Sequence, residues 1–335
     1  MRHYRWLVFL ILLLSILELS AQKAKYVIKF ATLAPEGSTW MNVMRDFDKA
    51  LQEATNGEVK FKIYPGGIAG DEKDVVRKIR FNQYHSAGFT GVGLGEILPE
   101  ERIFDSPMLF KSYEEVDHIT AKFTPEFEKK FEEKGFVLIG WTEVGFVYVF
   151  SQDPIRGLND LKKSKMWSWE GDPVAEATFK ALGVQSVPLA VTDVLTSLQT
   201  NLVNSVYTVP LACVSMQWYT KLKYVSDVKL ADAMGAVLIS KKMFNKLPPE
   251  YQKIVKDLGR EYMTKLVELS RKENQQSLDL MLQNGMKMVH VNPEELPMFE
   301  NAAKQARQDL VGKLYSKTLL QQIEQELEAF RSQSK

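Results

Sequence analysis

YVIKFATLAPEGSTWMNVMRDFDKALQEATNGEVKFKIY, residues 26–64, changes its hydrophobic period twice. Tyr26 to Thr32 alternates apolar and polar side chains, the pattern of a strand with one buried face. Ser38 then stands where a helix cap belongs, and Trp40, Met41, Met44, Phe47 and Leu51 follow on one helical face. Glu58 to Tyr64 alternates again, and Pro65-Gly66-Gly67 ends the run. Strand, helix and strand in this order form a βαβ unit, which brings two parallel strands together.

The same alternation continues outward from that unit. A helix is expected over Glu72–Phe81, a short strand over Ser86–Thr90, a helix over Ser112–Lys134 and a buried strand over Phe136–Trp141. Further strands are expected at Phe146–Phe150, Lys165–Trp169, Asn204–Thr208 and Ala236–Ile239. Helices fall between them at Pro173–Leu182 and Thr192–Thr200, the latter capped by Thr192. Pro249, well suited to a first turn, opens a helical stretch that runs to Asn284, unusually long for a globular helix. Two more helices, near Pro293–Lys313 and Leu319–Phe330, finish the chain. The pattern predicts an α/β fold with mostly parallel sheets.

Size and charge narrow the function. At 335 residues and 45% hydrophobic, the chain exceeds what one core usually organises, so two domains are expected. Lysine and arginine number 43 against 42 acidic residues, and without Arg2, Arg5 and Glu18 of the N-terminal segment the two signs balance. Such a surface has no electrostatic footprint for nucleic acid or anionic lipid. The single cysteine, Cys213, permits no internal disulfide and no cysteine-based metal cluster, and it reads as a buried small hydrophobe.

The N-terminus reads as an export signal. Arg2, His3 and Arg5 precede an apolar run from Trp6 to Leu17, too short to span a bilayer but suited to a signal peptide cleaved near Ala21. An uncleaved anchor is the alternative. No later stretch is apolar enough to cross a membrane, so the mature protein is expected to be periplasmic.

Candidate chemistry is sparse. Gly91-Val92-Gly93-Leu94-Gly95 follows a strand but lacks both the dinucleotide fingerprint and a Walker lysine, so it reads as a close backbone approach at a ligand cleft. His85, His118 and His290 are scattered without metal-ligand spacing, and Asp71, Glu72 and Asp74 suit the first turn of a helix. No nucleophile, base and orienting group can be assembled, and no cofactor or metal is expected. Tryptophan placement says more. Trp167 and Trp169 share one face near the C-terminal end of a strand, where open α/β sheets bind ligands.

Taken in order, several strings resemble the extracytoplasmic solute-binding proteins of TRAP (tripartite ATP-independent periplasmic) transporters, the dicarboxylate-binding, DctP-type family. They are Phe30-Ala31-Thr32-Leu33-Ala34-Pro35-Glu36-Gly37-Ser38, Tyr64-Pro65-Gly66-Gly67, Phe89-Thr90-Gly91 and Pro107-Met108-Leu109-Phe110. Asp160-Leu161-Lys162, Ala181-Leu182-Gly183-Val184 and Leu195-Thr196-Ser197-Leu198-Gln199-Thr200 extend the series. The resemblance implies a two-lobed periplasmic binding protein of type II-like architecture, with a cleft between the lobes and long bridging helices. It places lobe I at 24–146 plus about 235–285, lobe II at 147–234, and C-terminal helices across both at 286–335. It also implies a membrane permease as the partner that receives the solute.

This sequence departs from the family where the ligand's charge would be read. Typical members hold a substrate carboxylate with the arginine of a Lys-x-Arg string; here the string is Lys165-Met166-Trp167. A second family arginine follows a Gly-x pair, and here that segment is Gly145-Phe146-Val147. A buried carboxylate without a bidentate partner is strongly disfavoured. The chain thus resembles a branch proposed to carry hydrophobic ligands with a helical-repeat (TPR) protein as an additional partner. Trp141, Phe146, Trp167, Trp169, Tyr207 and Trp218 are expected around an apolar or amphipathic small molecule, with Phe89, Thr90 and Gly91 on the opposing wall. Glu143, Asn204 and Thr208 are candidates for a polar head, while Glu170 and Asp172 are candidates for a ligand amine held over the tryptophans. Trp167→Arg is expected to shift preference toward carboxylates. Two alternatives stand beside this reading: an organic-acid binder that uses another cation, such as a metal held by Glu143 and Glu170, and a scaffold for a helical-repeat partner that carries no solute.

Overall fold

The computed structural model describes residues 24–333; the expected signal peptide and its cleavage near Ala21 lie outside the described residues. β1 (Tyr26–Ala31), α1 (Thr39–Ala54) and β2 (Val59–Tyr64) form the first unit, with β1 and β2 parallel and Tyr26 opposite Val59. Ser38 Oγ accepts from Met41 N at 3.3 Å, so the cap satisfies a helical donor that has no partner within the helix. The face of α1 that carries Met41, Met44, Phe47 and Leu51 is buried.

After α2 (Glu72–Arg80), β3 (Ser86–Thr90) lies parallel to β1 on its other side. The glycine-rich segment forms a short helix, α3 (Gly91–Ile97), capped by Thr90, rather than an open turn. α4 (Tyr113–Glu133) then leads into β4 (Phe136–Ser151). The two strands expected at Phe136–Trp141 and Phe146–Phe150 are one continuous strand of 16 residues. Their apparent separation comes from register shifts at Leu138/Gly140 and Glu143/Gly145, which break the period of two without ending the ladder.

The chain continues through α5 (Leu158–Lys163), β5 (Met166–Trp169), α6 (Pro173–Leu182), β6 (Ser186–Leu189), α7 (Val194–Gln199), β7 (Ser205–Thr208) and α8 (Pro210–Ser215). A single turn at Val191–Asp193 precedes α7, so Thr192 lies in that turn instead of capping the helix. β8 (Tyr224–Ser226), β9 (Ala231–Ser240), α9 (Lys241–Phe244), α10 (Pro249–Gln283), β10 (Lys287–Val289), α11 (Leu296–Leu310) and α12 (Lys317–Gln333) complete the order.

The strands run β2-β1-β3-β9-β4-β7-β5-β6, with β8 beside β4 and β10 beside β8. The sheet is mixed rather than mostly parallel. β9 lies antiparallel to both β3 and β4, and β4 lies antiparallel to β7 and β8. The reason is β4 itself. Along Phe136–Val147 it pairs with β9, and along Tyr148–Ser151 with β7, so one strand serves both halves of the molecule. α10, 35 residues long, buries Val255, Met263 and Leu266 against α1 and the first sheet, and Leu278 and Met281 among residues of the second half. Phe299 of α11 joins the second half's core, whereas Leu319, Leu320, Ile323 and Leu327 of α12 join the core around α4.

Candidate functional site

A cavity of about 250 Å³ lies between the two halves. The first half contributes the loop from Thr32 to Trp40, the β3–α3 junction at Phe89, Thr90, Gly91 and Val92, and Arg102 and Asp105. The second contributes Trp167 and Trp169 of β5, Asp172 and the first turns of α6, Tyr207 and Thr208 of β7, and α8 with Trp218. β4 supplies Thr142, Val144 and Val147 at the back.

Aromatic stacking organises the second wall. The Trp167 ring lies 5.1 Å from Tyr207 at 21°, 5.3 Å from Trp218 at 73° and 6.2 Å from Trp169. These offset and edge-to-face geometries suit the ring quadrupoles. Both β5 indoles have partners for their N–H groups: Trp167 Nε1 donates to Leu189 O at 3.0 Å and Trp169 Nε1 to Asp71 Oδ2 at 3.1 Å. These two rings therefore present hydrocarbon rather than unmet donors to the cavity.

Of the residues singled out from sequence, Phe89, Thr90, Gly91, Trp167, Trp169, Tyr207, Thr208 and Trp218 line this one cavity. Four lie elsewhere. Trp141 packs against Phe104, Phe127 and Phe131 and donates to Thr124 Oγ1 at 2.9 Å. Phe146 packs on Tyr113 at 4.8 Å, with Lys229 Nζ 4.1 Å from its ring centroid. Glu143 is buried and ion-paired to Arg271, whose Nε lies 3.1 Å from both carboxylate oxygens. Strand alternation turns Trp141 and Glu143 away from the face of Thr142 and Val144, and the Glu143/Gly145 register shift then reverses the phase, so Val147 lines the cavity and Phe146 takes the other face. Asn204 sits at the far end of β7, where its Oδ1 accepts from Lys165 N at 2.7 Å.

Of the carboxylates around the cavity, the sequence points only to Asp172 as a ligand contact; Glu72 reads there as first-turn helix charge, and Asp105 and Asp232 carry no signal of their own. Glu72, Asp105, Asp172 and Asp232 border the cavity, with Arg102 as the one cation among the described lining residues. Arg102 is buried and already engaged: Nη2 donates to Asp172 Oδ1 at 2.8 Å, and Nε lies 3.1 Å from Asp105 Oδ2. Glu72 accepts from Thr90 N at 2.9 Å, Thr90 Oγ1 at 2.8 Å and Gly93 N at 2.8 Å, yet burial outweighs these bonds and lifts its carboxyl to about 8. Burial likewise raises Asp105 to about 6, against the pull of Arg102 and the Met234 N–H. Asp232, opposite Phe146 on β9, has no hydrogen-bond partner among the described residues, and burial first, then Glu143 and Asp105, push its carboxyl well up.

A signal for this cluster was present in the sequence. A Cβ on Gly91 would overlap Asp105 Oδ2, and one on Gly93 would crowd Phe89 and Glu72. The glycines admit buried carboxylates against α3, a close approach made by the protein's own side chains.

Among the described residues, three ties join the halves around the cavity. One is the Arg102–Asp172 pair, and the second is Trp169 Nε1 to Asp71. In the third, Lys73 Nζ donates to Glu170 O at 2.9 Å and Gly171 O at 3.2 Å, so Glu170 contributes its backbone oxygen there. Among the described residues no group of three or more His, Cys, Asp or Glu could hold a metal, and no helix is long and apolar enough to cross a membrane.

Two halves sharing a mixed sheet around one cavity define a two-lobed solute-binding protein. The sugar acid binding protein DctPAm of Advenella mimigardefordensis, solved in complex with galactonate, has this fold with a TM-score of 0.85 at 18% identity, covering 92% of this chain and 99% of that one. The chain belongs to the bacterial extracellular solute-binding protein family 7 (DctP), whose pattern matches residues 30–314. It is 22% identical over 307 residues to the C4-dicarboxylate-binding periplasmic protein DctP of Rhodobacter capsulatus, covering 90% of this chain and 92% of the relative. Identity to a solute-binding protein of Verminephrobacter eiseniae is 26% over 218 residues; this chain spans 64% of that relative's length.

Proposed function

We propose that the chain is the periplasmic receptor of a TRAP system that captures an apolar or amphipathic small molecule by lobe closure and hands it to the membrane permease. Lobe I would comprise 24–146 with about 235–285, lobe II 147–234, and 286–335 would pack across both. The observation that carries the reading is the lining: stacked aromatic rings face a cavity where Arg102, the one cation among the described lining residues, is already paired with two carboxylates. Each ligand CH₂ buried there contributes about 0.8 kcal/mol. A ligand carboxylate would meet no free bidentate donor and would add a negative charge beside Asp105 and Asp172. Closure that buries the ligand also creates the surface a permease can recognise. A TPR-type partner rests on the sequence resemblance alone.

A second reading, an organic-acid receptor, is favoured by Arg102 in the lining and by the galactonate held by the relative above. Its metal-assisted form meets an obstacle, since Arg271 occupies both oxygens of Glu143. Mass spectrometry of the protein purified without denaturation, followed by analysis of its solvent extract, separates the two. A near-stoichiometric lipid-like or aromatic species is expected. An empty protein whose melting temperature rises with organic acids but not with apolar compounds would overturn the apolar reading and leave the receptor role intact.

A further inference from the structure

Asp172 places a carboxylate inside the cavity from the chain itself. It lies at the start of α6 in the second half, and 70 residues separate it from Arg102 of the first half. Both side chains are buried, both line the cavity, and one oxygen, Asp172 Oδ1, accepts from Arg102 Nη2 at 2.8 Å and from Val174 N at 3.0 Å. A guanidinium donor from one lobe and a helix N–H from the other converge on a single carboxylate oxygen. That arrangement would equally suit an anionic ligand clamped between closing lobes.

We propose that Asp172 is a specificity-determining residue: its carboxylate occupies the anion position between the lobes, ties them together in place of a ligand's acid group, and so turns the cavity toward solutes without a carboxylate. The inference rests on the reading of this cavity as the solute site. It accounts for an arginine at the cavity of a protein whose lining is otherwise apolar and acidic. In this structure Arg102 pairs with Asp105 on its own lobe and with Asp172 across the lobes, so opening the lobes would separate only the second pair.

The test uses Asp172→Ser in the full-length mature protein, since serine keeps the helix cap and vacates the carboxylate position. Propionate is the probe, with propanol and propylammonium as controls, read by thermal shift and by small-angle scattering. The variant is expected to be more open than wild type, to close with millimolar propionate, and to respond to it at least tenfold more strongly than wild type. Neither control should substitute, and adding Arg102→Met should abolish the response. Should Asp172→Ser fail to fold, Asp172→Gly, also tolerated at a helix cap, vacates the same position and is expected to show a propionate-dependent melting rise that wild type lacks. A variant that remains closed and indifferent to propionate overturns the inference while leaving the apolar receptor reading untouched. Wild type responding as strongly as the variant overturns both.

Discussion

Glu72 sits beside the cavity with three donors on its carboxyl group, and desolvation still raises it to about 8. Between its ordinary value of 4.5 and about 8 the folded protein holds a proton there that the unfolded chain has released. Stability from this group therefore falls as pH rises through that window, by about 1.4 kcal/mol per pH unit. Denaturant unfolding measured from pH 5 to 8 should show a decline to which the raised carboxyls of Asp105 and Asp232 also contribute, and Glu72→Gln should make it shallower. An unchanged slope in the variant would remove Glu72 as its source. Trp169 offers a second residue-scale test, because it is only half-buried and its loss spares the deep core. Trp169→Ala should weaken binding of the co-purifying ligand about tenfold while shifting the melting temperature little, consistent with losing one aromatic contact face. Equal affinity in titration calorimetry would place the ligand elsewhere.

At the scale of elements, β4 and α10 are the two that run through both halves. At the Glu143/Gly145 register shift Gly145 takes φ +117°, a conformation side chains rarely adopt. There Asn274 of α10 donates to Val144 O at 2.7 Å and accepts from Leu211 N of α8 at 2.9 Å, so one amide holds β4 and the second half together. Asn274→Ala leaves two part-buried backbone groups unmet, and urea unfolding should register a loss of about 1–2 kcal/mol. A variant as stable as wild type would mean that both groups find other partners. Most elements were legible beforehand because their periods and caps are local: Ser38 on α1, Ser112 on α4 and Pro249 on α10 stand where the structure places them. The β4 sequence reads as two strands because its bulges interrupt alternation, and β8 and β10, three residues each, carry too little pattern to be seen.

For the whole molecule, the three ties around the cavity each join a residue of one half to a residue of the other, so a receptor that opens would break them. Ligand removal by unfolding and refolding should therefore yield a larger radius of gyration than the loaded protein, and Arg102→Met should hold the larger value even with ligand restored. A radius unaffected by stripping would mean that the closed form needs no ligand. The cost of Arg102→Met should be large, about 3–5 kcal/mol, because it strands Asp105 and Asp172 as buried charges.

The sequence by itself determined the βαβ unit over residues 26–64, the bridging helix from Pro249, the aromatic character of the β5 end and the absence of arginine at the expected strings. Each is set by side-chain type and spacing within a turn or two of its neighbours. Only the tertiary structure decided which face of β4 looks into the cavity, and it sent Trp141, Glu143 and Phe146 into other packing. It alone brought Arg102 to Asp172 across 70 residues of chain. Periodicity records which side chains share a face; which distant charge answers a buried one is set by how the two lobes close.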